Sequence, residues 1–281
     1  MQERFKTPKN IANYLARMEK IGGWFSQEMA RLFVFIDQVQ KLNGIKGNIF
    51  EIGVHHGRSA ILLSFFLRPE LESLSVCDLF GDQTLNVSES GLGNLEIFRN
   101  NFLACNPNQK FPVIHSKQSN KLTREETTGD CRIFHIDGGH SAEETYADLK
   151  IASTAMNEKG VIILDDYFNP AYPGVSEGFC AFMNEEKGNL APLIHAFNKL
   201  VIIRPSAFDI YSREIDSPDF KNYLLRWPYE MGKGTFFNHD IFLILIPSNR
   251  ANRTLPYFIL RRFIENYPWL KKGIKSLLFR K

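Results

Sequence analysis

The sequence predicts an α/β protein built on a mostly parallel sheet with helices on both faces. Three observations carry this. Short apolar runs alternate with stretches of helical periodicity from residue 48 to residue 204. The first run, N-I-F-E-I-G-V from Asn48 to Val54, leads through a glycine turn into a helix, the opening of a nucleotide-binding α/β unit. Several runs also end in acid, at Asp78, Asp137 and Asp165-Asp166. In a parallel sheet such ends open onto one crevice, where ligands bind.

With 281 residues the chain is long enough for one large domain or two small ones and for a substantial core. Its 44% hydrophobic and 23% charged content is ordinary for a soluble globular protein, while 24 phenylalanines point to generous aromatic packing. The charge is uneven. From Arg250 to Lys281 nine Lys/Arg face the single acid Glu265, a balance of +8; with +3 overall, the remainder carries −5. A basic tail on an acidic body fits an anionic surface, including a membrane surface touched from outside, or an assembly helix in a homo-oligomer; no nucleic-acid partner is expected. Cys77, Cys105, Cys131 and Cys180 show no C-x-x-C spacing and read as reduced thiols. The start, M-Q-E-R-F-K, lacks the apolar core of a signal peptide, and no apolar run approaches ~18 residues, so a cytoplasmic protein is expected.

Four segments follow: a helical prelude (1–46), the α/β core (47–205), an aromatic segment with one further strand (206–249), and a basic amphipathic tail (250–281). In the prelude, Ile11, Tyr14, Leu15 and Met18 form one helical stripe. Gly22-Gly23 interrupts it, and Phe25 to Val39 forms a second. After the first strand, Gly53-Val54-His55-His56-Gly57 makes the turn and Arg58–Phe66 the helix. The G-x-x-x-G spacing lacks the middle glycine of a dinucleotide fingerprint, and Glu51 inside the strand suits a cationic ligand better than a phosphate. Ser73–Asp78 is the second strand. Its terminal Asp78 suits two ribose hydroxyls or a turn cap. Residues 79–93 form a long polar loop, either disordered or a lid. A helix over Leu95–Leu103 and a strand over Phe111–His115 follow, with Ser119 in the polar stretch beyond.

Residues 133–167 read as strand, turn, helix, turn, strand. The helix spans Glu143–Met156, with a capping box between Ser141 and Glu144 and Gly160 as its terminator. Val161–Leu164 is a buried strand, and Val175–Met183 a helix. Asp137, Asp165 and Asp166 lie at two strand ends, three carboxylate ligands suited to a hard divalent cation such as Mg2+. His140 stands three residues past Asp137. His135 belongs in the core, and His55 and His56 belong to their turn. Leu193–Ala196 and Leu200–Arg204 are close enough to pair as a hairpin, and Asp240–Pro247 adds a strand. Ser206 to Asn238 is aromatic and irregular, either a cap facing the substrate or a packing excursion.

E-I-G-V-H-H-G-R-S-A, V-C-D-L-F-G-D-Q, H-I-D-G-G-H and I-I-L-D-D-Y together resemble class I S-adenosylmethionine-dependent methyltransferases. Within these they resemble the macrocin/mycinamicin type, which methylates sugar hydroxyls with Mg2+. The resemblance covers roughly residues 20–205. It implies a Rossmann-like seven-stranded, mostly parallel sheet whose last strand is antiparallel. It places Glu51, Gly53 and Gly57 around the methionine end of the cofactor, Asp78 at the ribose and Ser119 near the adenine, with Ser59 also binding the cofactor. Asp137, Asp165 and Asp166 become the metal ligands, with Asp137 also beside the cofactor, and His140 the general base. Some relatives carry an acid where this chain has Gly139, and some carry Glu where it has Asp165. The reaction implied is O-methylation of a sugar or glycan-type small molecule. The alternatives are a metal-independent transferase with His140 as base, or a cofactor-binding assembly protein without catalysis.

Overall fold

The computed structural model describes residues 4–82, 84, 86, 91–127, 129–225 and 228–246. The basic tail, with the amphipathic helix expected in it, lies outside the described residues. The prelude forms α1 (Lys9–Leu15) and α2 (Gln27–Leu42), separated at Gly22-Gly23. Ser26 caps α2 by accepting from the Met29 amide.

The core then runs β1 (Asn48–Ile52), α3 (Arg58–Ser64), β2 (Leu74–Asp78), α4 (Leu95–Cys105), β3 (Val113–Ser116), β4 (Cys131–Ile136), α5 (Ala142–Ala155), β5 (Met156–Asp165), α6 (Pro173–Glu186), β6 (Ala191–Ala196) and β7 (Lys199–Ile203). After it come α7 (Phe208–Ile215), α8 (Pro218–Leu224), β8 (Glu230–Phe236) and β9 (His239–Leu245). All nine strands join one sheet in the order β3-β2-β1-β4-β5-β7-β6-β9-β8. The first five are parallel. Strand β7 runs antiparallel between β5 and β6.

The sheet therefore has nine strands rather than the seven expected. Strand β8 lies in the segment read as irregular, because its sequence, E-M-G-K-G-T-F, has two glycines and little apolar alternation. It pairs antiparallel with β9. The hairpins β6–β7 and β8–β9 turn on Phe197-Asn198 and Phe237-Asn238, both residues of each pair having positive φ. This is the backbone of a two-residue turn matched to strand twist. Helix α5 ends at Ala155, and Gly160 sits inside β5 instead of capping the helix. A side chain there would start 2.5 Å from the Cys131 carbonyl oxygen.

Successive residues of β1 serve opposite faces: Ile49 joins the core beneath α2, α3 and α7, and Phe50 the core beneath α5 and α6. That is the pattern of a sheet covered on both sides. Arg132, fully buried at the start of β4, fixes the prelude to the sheet. It donates to Asp37 (3.0 Å) and Gln40 (2.8 Å) on α2, to Glu72 (3.0 Å) before β2, and to the Phe66 carbonyl (2.9 Å). The aromatic segment packs rather than caps. Tyr211 and Phe220 enter one core, and Phe236 and Phe237 pack on Phe179 of the other. Among the described residues, no helix is long and apolar enough to cross a membrane.

Candidate active site

A cavity of about 860 Å3 opens at the carboxyl ends of β1, β2, β4 and β5. It lies where the chain order reverses, with β2 on one side of β1 and β4 on the other. The β1 turn, the start of α5 and the Gly22–Phe25 loop of the prelude form its walls. Leu79, Phe80, Asn86, Gly91 and Gly93 contribute from the long loop, whose residues 83, 85 and 87–90 lie outside the described set.

The floor is bare backbone at Gly53. Its φ is +82°, and a Cβ would fall 1.7 Å from the Asp137 carbonyl oxygen. Only glycine lets the ends of β1 and β4 meet this closely. Beside it, Asp78 lines the cavity with its carboxylate already engaged. Oδ2 accepts from the Val54 (2.6 Å) and His55 (2.8 Å) amides, and Oδ1 from Phe80 (2.5 Å). A carboxylate has about four acceptor positions, so capacity remains for a ligand hydroxyl. Asp78 thus caps the glycine turn while lining the cavity. Ser59, Ser119 and Asp137 also line the cavity.

Glu51 and Gly57 do not. The space a side chain on Gly57 would need belongs to the Phe98 ring, 2.1 Å from the Cβ position. Glu51 is fully buried behind the floor, 2.7 Å from His135 Nδ1. Burial drives its carboxyl well above the usual range, despite a bond from Ser59, and drives His135 well below its own. Both shifts favour the uncharged forms, and the pair supports the turn from beneath.

The acidic end of the cavity holds a residue that the sequence reading did not single out. Lys199, first in β7, is paired in register with Asp165, last in β5. Its ammonium is fully buried, forms an ion pair with Asp165 Oδ2, lies 3.8 Å from Asp137 Oδ2, and sits 5.5 Å from the centre of the Phe25 ring. Burial, then the Asp137 charge, raises the Asp165 carboxyl well above its usual value, with Lys199 opposing. Asp166, in the left-handed region at φ 56°, points elsewhere. It accepts from Asn169 Nδ2 (2.7 Å) and Asn198 Nδ2 (2.5 Å), and pairs with His140 Nε2 (3.2 Å). Burial pushes its carboxyl up, but these bonds outweigh burial and hold it below the usual range. The His140 ring stacks on Tyr172 at 3.8 Å, and its Nδ1 has no partner in the protein.

The three aspartates expected to share a metal thus fall into two sets. Asp137 groups with His135 and Asp165, and separately with His140 and Asp166, ligand atoms lying within 4.8 Å in each. The first set contains the Lys199 ion pair, and in the second His140 and Asp166 already bond each other. As arranged here, the donors do not fit the divalent-ion site expected from the three carboxylates. At position 139, where some relatives of the resembled type carry an acid, the space is filled by another carboxylate. A Cβ on Gly139 would lie 2.2 Å from the Glu144 carboxyl carbon, which Ser141 holds through the expected capping box.

Residues 50–167 match a family described as a methyltransferase domain. No curated protein matches the chain. Among solved structures, the O-methyltransferase NovP aligns at TM-score 0.53 and 18% identity, over 63% of this chain and 80% of NovP. The TDP-rhamnose 3'-O-methyltransferase CalS11 aligns at TM-score 0.48 and 13% identity, over 72% and 96%. An O-methyltransferase from Bacillus cereus, in complex with SAH, aligns at 0.47 and 15%, over 70% and 91%. The methyltransferase-domain match spans residues 50–167, under half of the chain, and NovP shares its fold; the motifs in that stretch resemble proteins whose cofactor is S-adenosylmethionine. The Gly53 floor and Asp78 fit that cofactor: a backbone surface free of side chains beside a carboxylate with acceptor capacity.

Proposed function

We propose that the protein transfers a methyl group from S-adenosylmethionine to a hydroxyl of a sugar or glycan-type small molecule. The observation that carries this reading is the juxtaposition, in one cavity, of the Gly53–Asp78 floor with the His140–Asp166 pair. The choice of a sugar hydroxyl draws on the I-D-G-G-H and D-D-Y motifs and their resemblance to sugar O-methyltransferases.

Bound S-adenosylmethionine supplies an already activated methyl group, so the protein's task is to position an oxygen and remove its proton. Asp166, ionised and beside Nε2, favours the tautomer with its proton on that nitrogen. Nδ1 is buried and has no partner in the protein, so the ring retains one free nitrogen. His140 then takes the hydroxyl proton, and the Asp166 charge stabilises the imidazolium. Tyr172 and Asn169 keep the two side chains in place. The resemblance implied magnesium, but the Lys199 ion pair favours the other reading, a metal-independent transferase with His140 as base.

The test is calorimetric binding of S-adenosylhomocysteine, followed by transfer of labelled methyl groups to a panel of sugars and glycosides, with and without EDTA. Binding together with transfer to a hydroxyl is expected. Binding with no transfer to any acceptor would leave the non-catalytic assembly reading in place.

A further inference from the structure

We infer that Lys199 is the resident cation of the acceptor site, standing where the sequence reading placed a divalent ion, so that the acidic cluster works without a metal. The inference rests on the proposed O-methyl transfer and names the group that balances its charge. Among the described residues, the Asp137 and Asp165 carboxylates come together at the ends of β4 and β5, with Asp166 next to them in the chain and turned to His140. Clustered negative charge of this kind calls for a cation. The cation is already part of the chain: the Lys199 ammonium contacts Asp165 and lies 3.8 Å from Asp137.

The arrangement is built into the fold. Lys199 and Asp165 are ladder partners, so their side chains are set by sheet register rather than by a mobile loop. The ammonium has no exposed surface and is roofed by Phe25 of the prelude. An ammonium buried this way is tolerated only beside negative charge, and the Asp165–Asp137 carboxylate pair around it supplies that charge. Asp166 is committed as well, by His140, Asn169 and Asn198. A divalent ion would therefore have to displace the ammonium or lie beside a like charge. Lys199 does not reach the cavity surface, so it is a positioning residue: it holds Asp165 and Asp137 and keeps the base and its partner free of a metal.

The test is titration of Mn2+ into the full-length wild-type protein, read from the electron paramagnetic resonance signal of free Mn2+, with thermal melting in Mn2+ and in EDTA alongside. The expected result is no stoichiometric loss of the free signal at micromolar metal and no shift in melting. In Lys199→Met the like charge is gone and Mn2+ binding should tighten by at least about tenfold. Lys199→Met/Asp165→Asn should lose that gain. Stoichiometric Mn2+ binding by the wild type that Asp165→Asn abolishes would overturn the inference. Should Lys199→Met not fold, the wild-type titration decides alone. These readouts involve no acceptor, so failure to find methyl transfer would count against the proposed function and leave this inference standing.

Discussion

Lys199 and Asp165 face each other across the β5–β7 ladder, one opening its strand and the other closing its own. The pair is buried, with the Lys199 side chain showing no exposed surface and that of Asp165 only 13%. Breaking such a pair from one side strands a charge, at a cost of about 3–5 kcal/mol. Lys199→Met is therefore expected to lower unfolding free energy by that order in urea. Lys199→Met/Asp165→Leu should recover most of it. Single and double variants that simply add would show that the two side chains do not interact.

The His140–Asp166 pair predicts a separation of chemistry from binding. His140→Ala should reduce methyl transfer by about 10²–10⁴-fold, the usual contribution of a positioned base. Its affinity for S-adenosylhomocysteine should stay within a few-fold of the wild type. Asp166→Asn should also slow transfer, because the imidazolium formed as His140 takes the proton loses its neighbouring negative charge. Full activity in His140→Ala across the pH range would place the base elsewhere.

Asp166 also has a signature in acid. Its folded-state pKa lies below the ordinary carboxylate value. Its stabilising contribution is therefore complete above the unfolded value, about 3.9, and is lost as pH falls through the folded one. Urea melts below about pH 4 should show Asp166→Asn losing less stability than the wild type. An equal loss in both proteins would count against these bonds.

Asp148 predicts the opposite slope. It is buried in α5 beneath Gly138, and burial lifts its carboxyl to about 7, with Glu144 adding to the rise and Ser119 opposing it. The folded protein then holds a proton that the unfolded chain has lost, so stability falls as pH rises from about 4 to about 7. Asp148→Asn mimics the neutral acid. It should be flat across that window and more stable than the wild type at pH 8 by up to a few kcal/mol. Parallel pH profiles for the two proteins would show that Asp148 is ionised when folded.

Gly53→Ala tests the floor of the cavity. The new methyl would meet the Asp137 carbonyl at 1.7 Å with backbone in the left-handed region. An unstrained Gly→Ala change would stabilise by about 0.4–1 kcal/mol, whereas here destabilisation by at least about 1–3 kcal/mol is expected in thermal melts. Loss of S-adenosylhomocysteine binding by at least about tenfold should accompany it. A variant that melts and binds like the wild type would mean that the strand ends can separate.

Much of the site was legible because its signals are local. The Ser141–Glu144 capping box needs only residues three apart, and it is present as read. Gly53 and Asp78 were recognisable from their places at strand ends. Glu51 and Gly57 show the limit of that reading. They are one strand and one turn away from Gly53 in sequence, yet strand alternation sends Glu51 behind the sheet to His135, and Gly57 makes room for Phe98 on a helix 38 residues further along. Strand β8 was hidden by its glycines and became a strand only through pairing with β9.

Composition and periodicity alone determined an α/β chain with acids at the carboxyl ends of its strands, because alternation, caps and turn residues act over a few positions. Which of those acids share a partner was decided by the tertiary structure. Lys199 lies 34 residues beyond Asp165 and 62 beyond Asp137, and nothing in its neighbourhood of sequence, N-K-L-V-I-I, marks it. Sheet register brings it to the end of β5, and burial turns an ordinary lysine into a fixed charge between the Asp165 and Asp137 carboxylates.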